Sequence, residues 1–270
     1  FITAGTLQVG DGGLGGTLST NGVTNNATLV FNLAGTSSVP NRIEGVGALV
    51  KQGSGVVMLD RANIYTGPTF VSNGTLLVQG SLATGLVTVA SAGTLGGTGT
   101  IGGSVSSAGT VAPGASAGKL LISGSYTQAA SGTLSVEVGG TVAGTTHDWI
   151  DIAGSATIDG ALSVSLINGY VPTTNDLFLV FTAGGALTGS FATTNLPALG
   201  GGNGWKVDYI GSAVMLSITN GGVPPVTGYD LAATVITNGL TGYQDDADGD
   251  GYVNLLEYVT GGSLTNAGVE

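Results

Sequence analysis

Short apolar runs follow one another along the chain, and small polar residues separate them roughly every eight to twelve positions. Residues 65–105, YTGPTFVSNGTLLVQGSLATGLVTVASAGTLGGTGTIGGSV, show the pattern: Val, Ile, Leu and Thr fill the runs, and Gly, Asn and Ser lie between them. No run has the 3.6-residue period of a helix. The pattern therefore predicts short strands joined at tight corners.

A three-residue signature, Gly-Thr-Leu or a close variant, recurs along the chain. It occurs at 5–7, 16–18, 27–29, 74–76, 93–95, 109–111 and 132–134. FITAGTLQV at 1–9 also aligns without a gap on FVSNGTLLV at 70–78. Such self-similarity is typical of a solenoid, in which each turn covers its inward face with the turns above and below. The longer match predicts that the chain begins partway into a repeat unit.

The apolar runs lengthen in the second half of the chain. From Ser125 they become longer, as in ALSVSL at 161–166 and WKVDYIGSAVMLSIT at 205–219, while still alternating by two. We interpret them as wider final turns that close the same solenoid. A polar interruption around residues 37–44 predicts a corner loop.

Three longer stretches carry a family resemblance. GVGALVKQGSGVVMLDRANIYTGPTFVSNGTLLVQGSL at 45–82 resembles the passenger-associated β-strand repeat of bacterial autotransporters. APGASAGKLLISGSYTQAASGTLSVEV at 112–138 and THDWIDIAGSATIDGALSVSL at 146–166 resemble the closing turns of such passengers. The resemblance covers roughly residues 1–219 and implies a right-handed parallel β-helix exported to the cell exterior.

Composition narrows the possible partners. Charged residues make up 8% of the chain, the net charge is −11, and the five cations are scattered in the sequence. Nucleic acid and anionic membrane surfaces are therefore poor partners. No run approaches the roughly 18 apolar residues of a membrane span, so we expect no membrane insertion in this segment. The chain has no Cys, which excludes disulfides and thiolate metal sites.

The composition changes near residue 221. GGVPPVTG at 221–228 predicts a stiff linker, because it contains a Pro pair. The chain is thus expected to comprise a β-helix at 1–220, the linker, and a small C-terminal module at 229–270. This module holds seven carboxylates and no Lys or Arg.

The C-terminal module contains a calcium-loop motif. DADGDGYVNLLE at 246–257 matches the twelve-residue EF-hand loop at each required position, and a short helix is expected from 254 to about 259. The predicted ligands of Ca²⁺ are Asp246, Asp248, Asp250, the backbone carbonyl of Tyr252, Asn254 through water, and Glu257. A loop with only its exiting helix resembles the calcium half-motif of dockerins. The predicted fold is therefore all-β, a parallel β-helix with a small α-helical calcium-loop module.

One stretch resembles an acid–base site. His147 lies near Asp148 and Asp151, the only place in the sequence where an imidazole adjoins carboxylates. No second His, activated Ser or cation lies nearby in sequence, so we interpret the stretch as a structural strand. GGTGTIGG at 96–103 has the glycine content of a phosphate-binding loop, but no helix is predicted after it.

The sequence therefore predicts a non-enzymatic protein of the cell surface or the extracellular space: a β-helical stalk, adhesin or fibre subunit. The expected partners are further copies stacked head to tail in a filament, or a surface or carbohydrate ligand. Two alternatives belong to other classes. One is a polysaccharide-active β-helix enzyme, and the other is a calcium-dependent docking module acting through residues 229–270.

Overall fold

The computed structural model describes residues 1–18 and 21–220. The predicted linker at 221–228 and the predicted module at 229–270, with its calcium loop and helix, lie outside the described residues. Within the described ranges the regular elements are strands, and no helix there is long and apolar enough to span a membrane. The predicted all-β fold is confirmed for this part of the chain.

The strands are mostly short. Their bounds are β1 Thr6–Val9, β2 Val23–Thr24, β3 Thr28–Asn32, β4 Thr36–Val39, β5 Ile43–Glu44, β6 Ala48–Gln52, β7 Val56–Leu59, β8 Thr69–Val78, β9 Ser81–Leu82, β10 Val87–Gly97, β11 Thr100–Ile101, β12 Val105–Ser107, β13 Thr110–Pro113, β14 Lys119–Ile122, β15 Tyr126–Gln128, β16 Thr133–Val138, β17 Trp149–Ile152, β18 Ala156–Ile158, β19 Ala161–Leu166, β20 Leu177–Ala183, β21 Leu187–Gly189, β22 Thr193–Asn195, β23 Gly204–Ile210 and β24 Ala213–Thr219.

Most strands pair in parallel with the strand one coil away, forming stacks that we call faces A, B and C. Face A joins β1, β3, β6, β8, β10, β12, β15, β18 and β21 in order. Face B joins β4, β7, the second halves of β8 and β10, β13, β16, β19 and β22. Face C joins β9, β11, β14, β17 and β20. One coil thus visits the three faces in turn, as in a β-solenoid.

The core is a column of apolar side chains that point inward from every face. Alternation by two directs one side of each strand inward, and the parallel register places these residues directly above one another. The buried files are Leu29, Leu49, Thr69, Val87, Val105, Tyr126 and Ala156 on face A, Leu76, Leu95, Val111, Leu134 and Leu162 on face B, and Ile101, Ile122 and Ile152 on face C.

Glycine allows neighbouring coils to approach closely at the corner between faces C and A. A Cβ added to Gly67 would lie 2.1 Å from the carbonyl oxygen of Gly47. The same distance separates a Cβ on Gly85 from the Gly67 carbonyl, and a Cβ on Gly103 from the Gly85 carbonyl. No side chain fits at such a distance, so these glycines form a column that sets the spacing of the coils.

The recurring triplets align in space, but not all on one face. Thr75, Thr94, Thr110 and Thr133 are in register, so these triplets begin face B in successive coils. Thr6 instead pairs with Thr28 on face A. The gapless alignment of residues 1–9 on 70–78 is therefore not a structural register, because corners before both faces use the same small residues.

The last coils differ from the prediction. Val87 pairs with Val105, 18 residues later, whereas Tyr126 pairs with Ala156, 30 residues later. The longer coils insert loops at 139–148 and 167–176. After β20 the pairing reverses: β24 runs antiparallel to β20, and β23 runs antiparallel to β24. The interpretation of 205–219 as one more wide turn was wrong, since these residues form a hairpin that ends face C.

The polar stretch around residues 37–44 is not one corner loop. Thr36–Val39 forms β4, which pairs with β7, and Ile43–Glu44 forms β5, which pairs with β2. Only the three residues between these strands form the corner. Its polarity reflects outward-facing positions of short strands rather than the absence of strands.

Candidate functional sites

The predicted calcium ligands lie outside the described residues, so the structure places none of them. These are Asp246, Asp248, Asp250, Tyr252, Asn254 and Glu257. Within residues 1–18 and 21–220, no group of three or more His, Asp or Glu side chains is arranged to hold a metal ion.

His147 is buried at the end of the 139–148 loop, just before β17. Its Nδ1 lies 3.1 Å from the carbonyl oxygen of Gly140, and its Nε2 lies 3.1 Å from that of Leu179. The ring also packs edge-on against Phe178. Burial lowers the pKa of His147, and the two carbonyl contacts oppose that shift. With both nitrogens on backbone oxygens, the imidazole ties the loop to β20 and has no free nitrogen to exchange a proton with a substrate.

Asp148 is buried beside it and holds two corners together. Its Oδ1 accepts the N–H of Gly118 at 2.8 Å, and its Oδ2 accepts the N–H of Glu137 at 2.8 Å. Burial raises the pKa of Asp148 to about 7, while these two hydrogen bonds oppose the rise. The carboxyl group therefore satisfies backbone donors of two coils, which is a structural role.

Asp151 lies in a separate network on the outside of face C. It contacts Lys119 Nζ at 2.7 Å and accepts a hydrogen bond from Thr182 Oγ1 at 2.8 Å. Trp149 Nε1 donates to the same Thr182 oxygen, and the Lys119 ammonium lies 4.0 Å from the centre of a Trp149 ring. The structure thus does not bring His147, Asp148 and Asp151 together as an acid–base site.

A prediction follows from the raised pKa of Asp148. Its ordinary value is 3.8, and the folded value is about 7. Between these pH values the folded chain holds a proton that the unfolded chain has released, so raising the pH through this window lowers stability. We expect the stability of the natural chain, relative to Asp148→Asn, to fall by about 2 kcal/mol between roughly pH 4 and pH 7.

Urea unfolding of both proteins across this pH range measures the effect. His147 is present in both, so its own titration largely cancels in the difference. Asp11→Asn, which removes an exposed carboxylate, is the control and should follow the natural chain. Parallel pH profiles for the natural chain and Asp148→Asn would contradict the raised pKa.

Lys51 is a functional-looking residue that the sequence reasoning missed. It is fully buried on face A, in register with Phe31 and Val71. Its Nζ donates to the carbonyl oxygens of Gln52, Gly53 and Asn73 at 3.3, 2.9 and 3.0 Å, and burial lowers its pKa to about 8. Gln128, two files of coils further along the same position, likewise donates to corner carbonyls. Both side chains satisfy corner backbone groups inside the solenoid.

Face A carries a file of exposed or half-buried hydroxyl groups. The register places them one above another on successive coils, at Thr88, Ser106, Thr127, Thr157 and Thr188. The strands that carry them, β10, β12, β15, β18 and β21, contain no charged residue. This surface offers hydrogen-bond donors and acceptors but no acid–base group. GGTGTIGG at 96–103, at the far end of β10, is followed by the strand β12 rather than by a helix.

A second feature that the sequence reasoning missed is a cavity of about 570 Å³ between coils on the first half of the solenoid. It is lined by Arg42 and Arg61, together with Gly22, Pro40, Asn41, Ala62 and Ile64. The arginines are 19 residues apart, close to one coil length. That spacing is a usable signal only once the coil length is known.

Comparison with known proteins identifies relatives of part of the chain. Residues 49–78 match the family model described as Passenger-associated-transport-repeat. Over 78 residues, 29% of the chain, the sequence is 42% identical to a protein named "Adhesin BmaC autotransporter" from Brucella suis biovar 1 (strain 1330). The matched stretch is 2% of that relative's length. These matches confirm the predicted autotransporter passenger-type repeat in this part of the chain.

Proposed function

We propose that this chain is a segment of a non-enzymatic extracellular passenger, which serves at the cell surface as a stalk or adhesin. The observation that carries the proposal is the position of the Passenger-associated-transport-repeat match. Residues 49–78 span β6 to β8, and these strands form one coil within an uninterrupted stack. The repeat is therefore a structural unit that contacts equivalent coils on both sides.

The stack suits a spacer. Face A has nine strands, and at the usual strand spacing they extend over about 40 Å. We propose a right-handed coil, since parallel β connections are right-handed in nearly all proteins. The single His, with both ring nitrogens on backbone carbonyls, favours a structural protein over a polysaccharide-active enzyme.

Surface exposure tests this function. Cells that produce the full-length protein should bind an antibody raised against residues 1–220 without permeabilisation, and brief protease treatment of intact cells should remove that signal. Beads coated with the purified chain should be retained on a host-cell layer more than uncoated beads. A chain detected only after the cells are broken open would contradict the proposal.

The C-terminal module is proposed to bind Ca²⁺ through the loop at 246–257. Four carboxylates in so short a loop repel one another, and the cation removes that penalty. With a dissociation constant near ~0.1 mM, ~1 mM calcium would stabilise the module by about 1.4 kcal/mol. We expect titration calorimetry of the full chain to show one calcium site that Asp248→Asn weakens at least about tenfold. Asp230→Asn, an acidic residue of the same module outside the loop, should leave the site unchanged.

Equal calcium binding by both variants, or none by the natural chain, would contradict the loop assignment. A docking role of the module predicts a further result: the full chain would capture a partner domain with calcium and release it with chelator.

Head-to-tail filament assembly is a proposal that the fold makes narrower. The hairpin β23–β24 ends face C with antiparallel pairing. A second copy therefore cannot extend that face by parallel pairing on β20, and a joint would use the edge of β23 instead. Electron micrographs and sizing columns, with and without calcium, separate filaments from single rods.

A further inference from the structure

The cavity beside Arg42 exists because its neighbours along the stack are small. The adjacent coils place Gly22 on one side of Arg42 and Ala62 on the other, as the pairing of Val23 with Ile43 and the hydrogen bond from Ile64 N to Ile43 O require. Two long outward side chains would otherwise flank the guanidinium. The missing side chains leave an open hollow of about 570 Å³, large enough for one or two sugar rings.

The five cations of the chain are not equally available. Lys51 points into the core, and Lys119 and Lys206 each lie 2.7 Å from a carboxylate oxygen. Arg42 and Arg61 line the hollow, and both are exposed. Among the described residues, the ion pair at Arg42 is long, 3.9 Å to Glu44, and none involves Arg61.

The two carboxylates near the hollow have other hydrogen bonds. Glu44 accepts from Thr24 Oγ1 at 3.1 Å, and Asp60 accepts from Ser38 Oγ. Arg61 Nε donates to the carbonyl oxygen of Pro40 at 3.1 Å, which fixes the direction of its guanidinium group. Two planar donor groups therefore line one concave site whose own lining contains no carboxylate.

We propose that this hollow binds the anionic group of an acidic sugar. The guanidinium fork matches the two oxygens of a carboxylate or sulfate. Pro40 and Ile64, which also line the hollow, offer apolar surface for the C–H face of a sugar ring. The chain carries a net charge of −11, which disfavours a polyanion at long range, so the ligand presents one acidic residue rather than a run of them.

This assignment names a ligand for the adhesin proposed above and rests on that function only for its biological setting. Binding by the purified chain tests the hollow, whereas surface exposure on cells tests the function. A failure of one experiment can thus be told from a failure of the other.

The experiment is a titration of the purified full chain with glucuronic acid, glucose and sodium sulfate, with chelator present so that the acidic module holds no calcium. We expect glucuronic acid to bind at least about tenfold more tightly than glucose, as charged hydrogen bonds imply. The double variant Arg42→Gln/Arg61→Gln should lose this preference. Lys119→Gln/Lys206→Gln removes the same charge elsewhere and should keep it.

Each other outcome overturns the proposal. Equal affinity for glucose and glucuronic acid removes the anionic recognition. Sulfate binding as tightly as glucuronic acid indicates a simple anion site without a sugar. Unchanged binding in the double arginine variant places the ligand elsewhere, provided that circular dichroism shows both double variants folded.

Discussion

Replacing Gly85 with alanine is expected to destabilise the solenoid by about 3 kcal/mol. The added Cβ would lie 2.1 Å from the carbonyl oxygen of Gly67 on the adjacent coil. That oxygen is backbone, so it cannot rotate away as a side chain would. The two coils must separate, and separation breaks the ladder hydrogen bonds on either side of the corner.

The damage should be local, because each coil contacts only its neighbours. Hydrogen exchange should show lost protection in β8 to β12, while β16 to β20 keep theirs. Gly15→Ala is the control, since a Cβ there meets nothing within 4 Å, and its stability should change by less than about 0.5 kcal/mol. Equal urea midpoints for Gly85→Ala and Gly15→Ala would contradict the close approach of the coils.

Replacing Phe178 with alanine is expected to cost about 4 kcal/mol. Phe178 is fully buried in β20 and joins three parts of the C-terminal end. Its ring centre lies 5.5 Å from that of His147, 6.2 Å from that of Tyr170 and 5.7 Å from that of Trp205. Removal of the ring leaves a cavity between the two long loops and the hairpin.

The readout distinguishes this loss from general unfolding. Tryptophan fluorescence, which reports on Trp205 in the hairpin and on Trp149, should shift in Phe178→Ala at urea concentrations that leave β3 to β10 protected from hydrogen exchange. Phe70→Ala is the matched control, because Phe70 lies on the outside of face A and is 39% exposed. It should cost less than about 1 kcal/mol. A similar cost for both variants would mean that the hairpin does not depend on Phe178.

The repeating part of the fold was predictable because its residues satisfy two constraints at once. Thr75, Thr94 and Thr110 each follow a small corner residue and precede an inward aliphatic side chain. That combination recurs only where coils stack, so the sequence predicts the stack. It does not predict the face, since Thr6 follows the same kind of corner but begins face A.

The hairpin could not be predicted from the same pattern. Residues 205–219 alternate by two whether the neighbouring strand is parallel or antiparallel, and only the short turn at Gly211-Ser212 distinguishes the cases. That turn is a hairpin signal, but the preceding coils made it resemble another corner.

The candidate sites differ in how far sequence could locate them. His147 and Asp151 are close in sequence, but alternation across the loop and β17 directs one inward and the other outward. Arg42 and Arg61 are brought together by coil length, which sequence gives only approximately. Lys51 shares the parity of Leu49, so its inward position was readable, although a lysine there is unexpected without its three carbonyl partners. The calcium ligands at 246–257 remain a prediction.

The central claim is that successive coils stack in parallel in the register described. The chain has no Cys, so paired cysteine substitutions test it directly. Thr88 pairs with Ser106, and Ser106 pairs with Thr127. In-register neighbours are about 4.8 Å apart, within the ~4.4–6.8 Å range of a disulfide, whereas residues two coils apart are at about 9.6 Å.

The measurement is mass spectrometry of the oxidised monomer. T88C/S106C should form an intramolecular disulfide, and T88C/T127C should stay reduced. A reduced T88C/S106C variant, or efficient bonding in T88C/T127C, would contradict the stacked parallel solenoid.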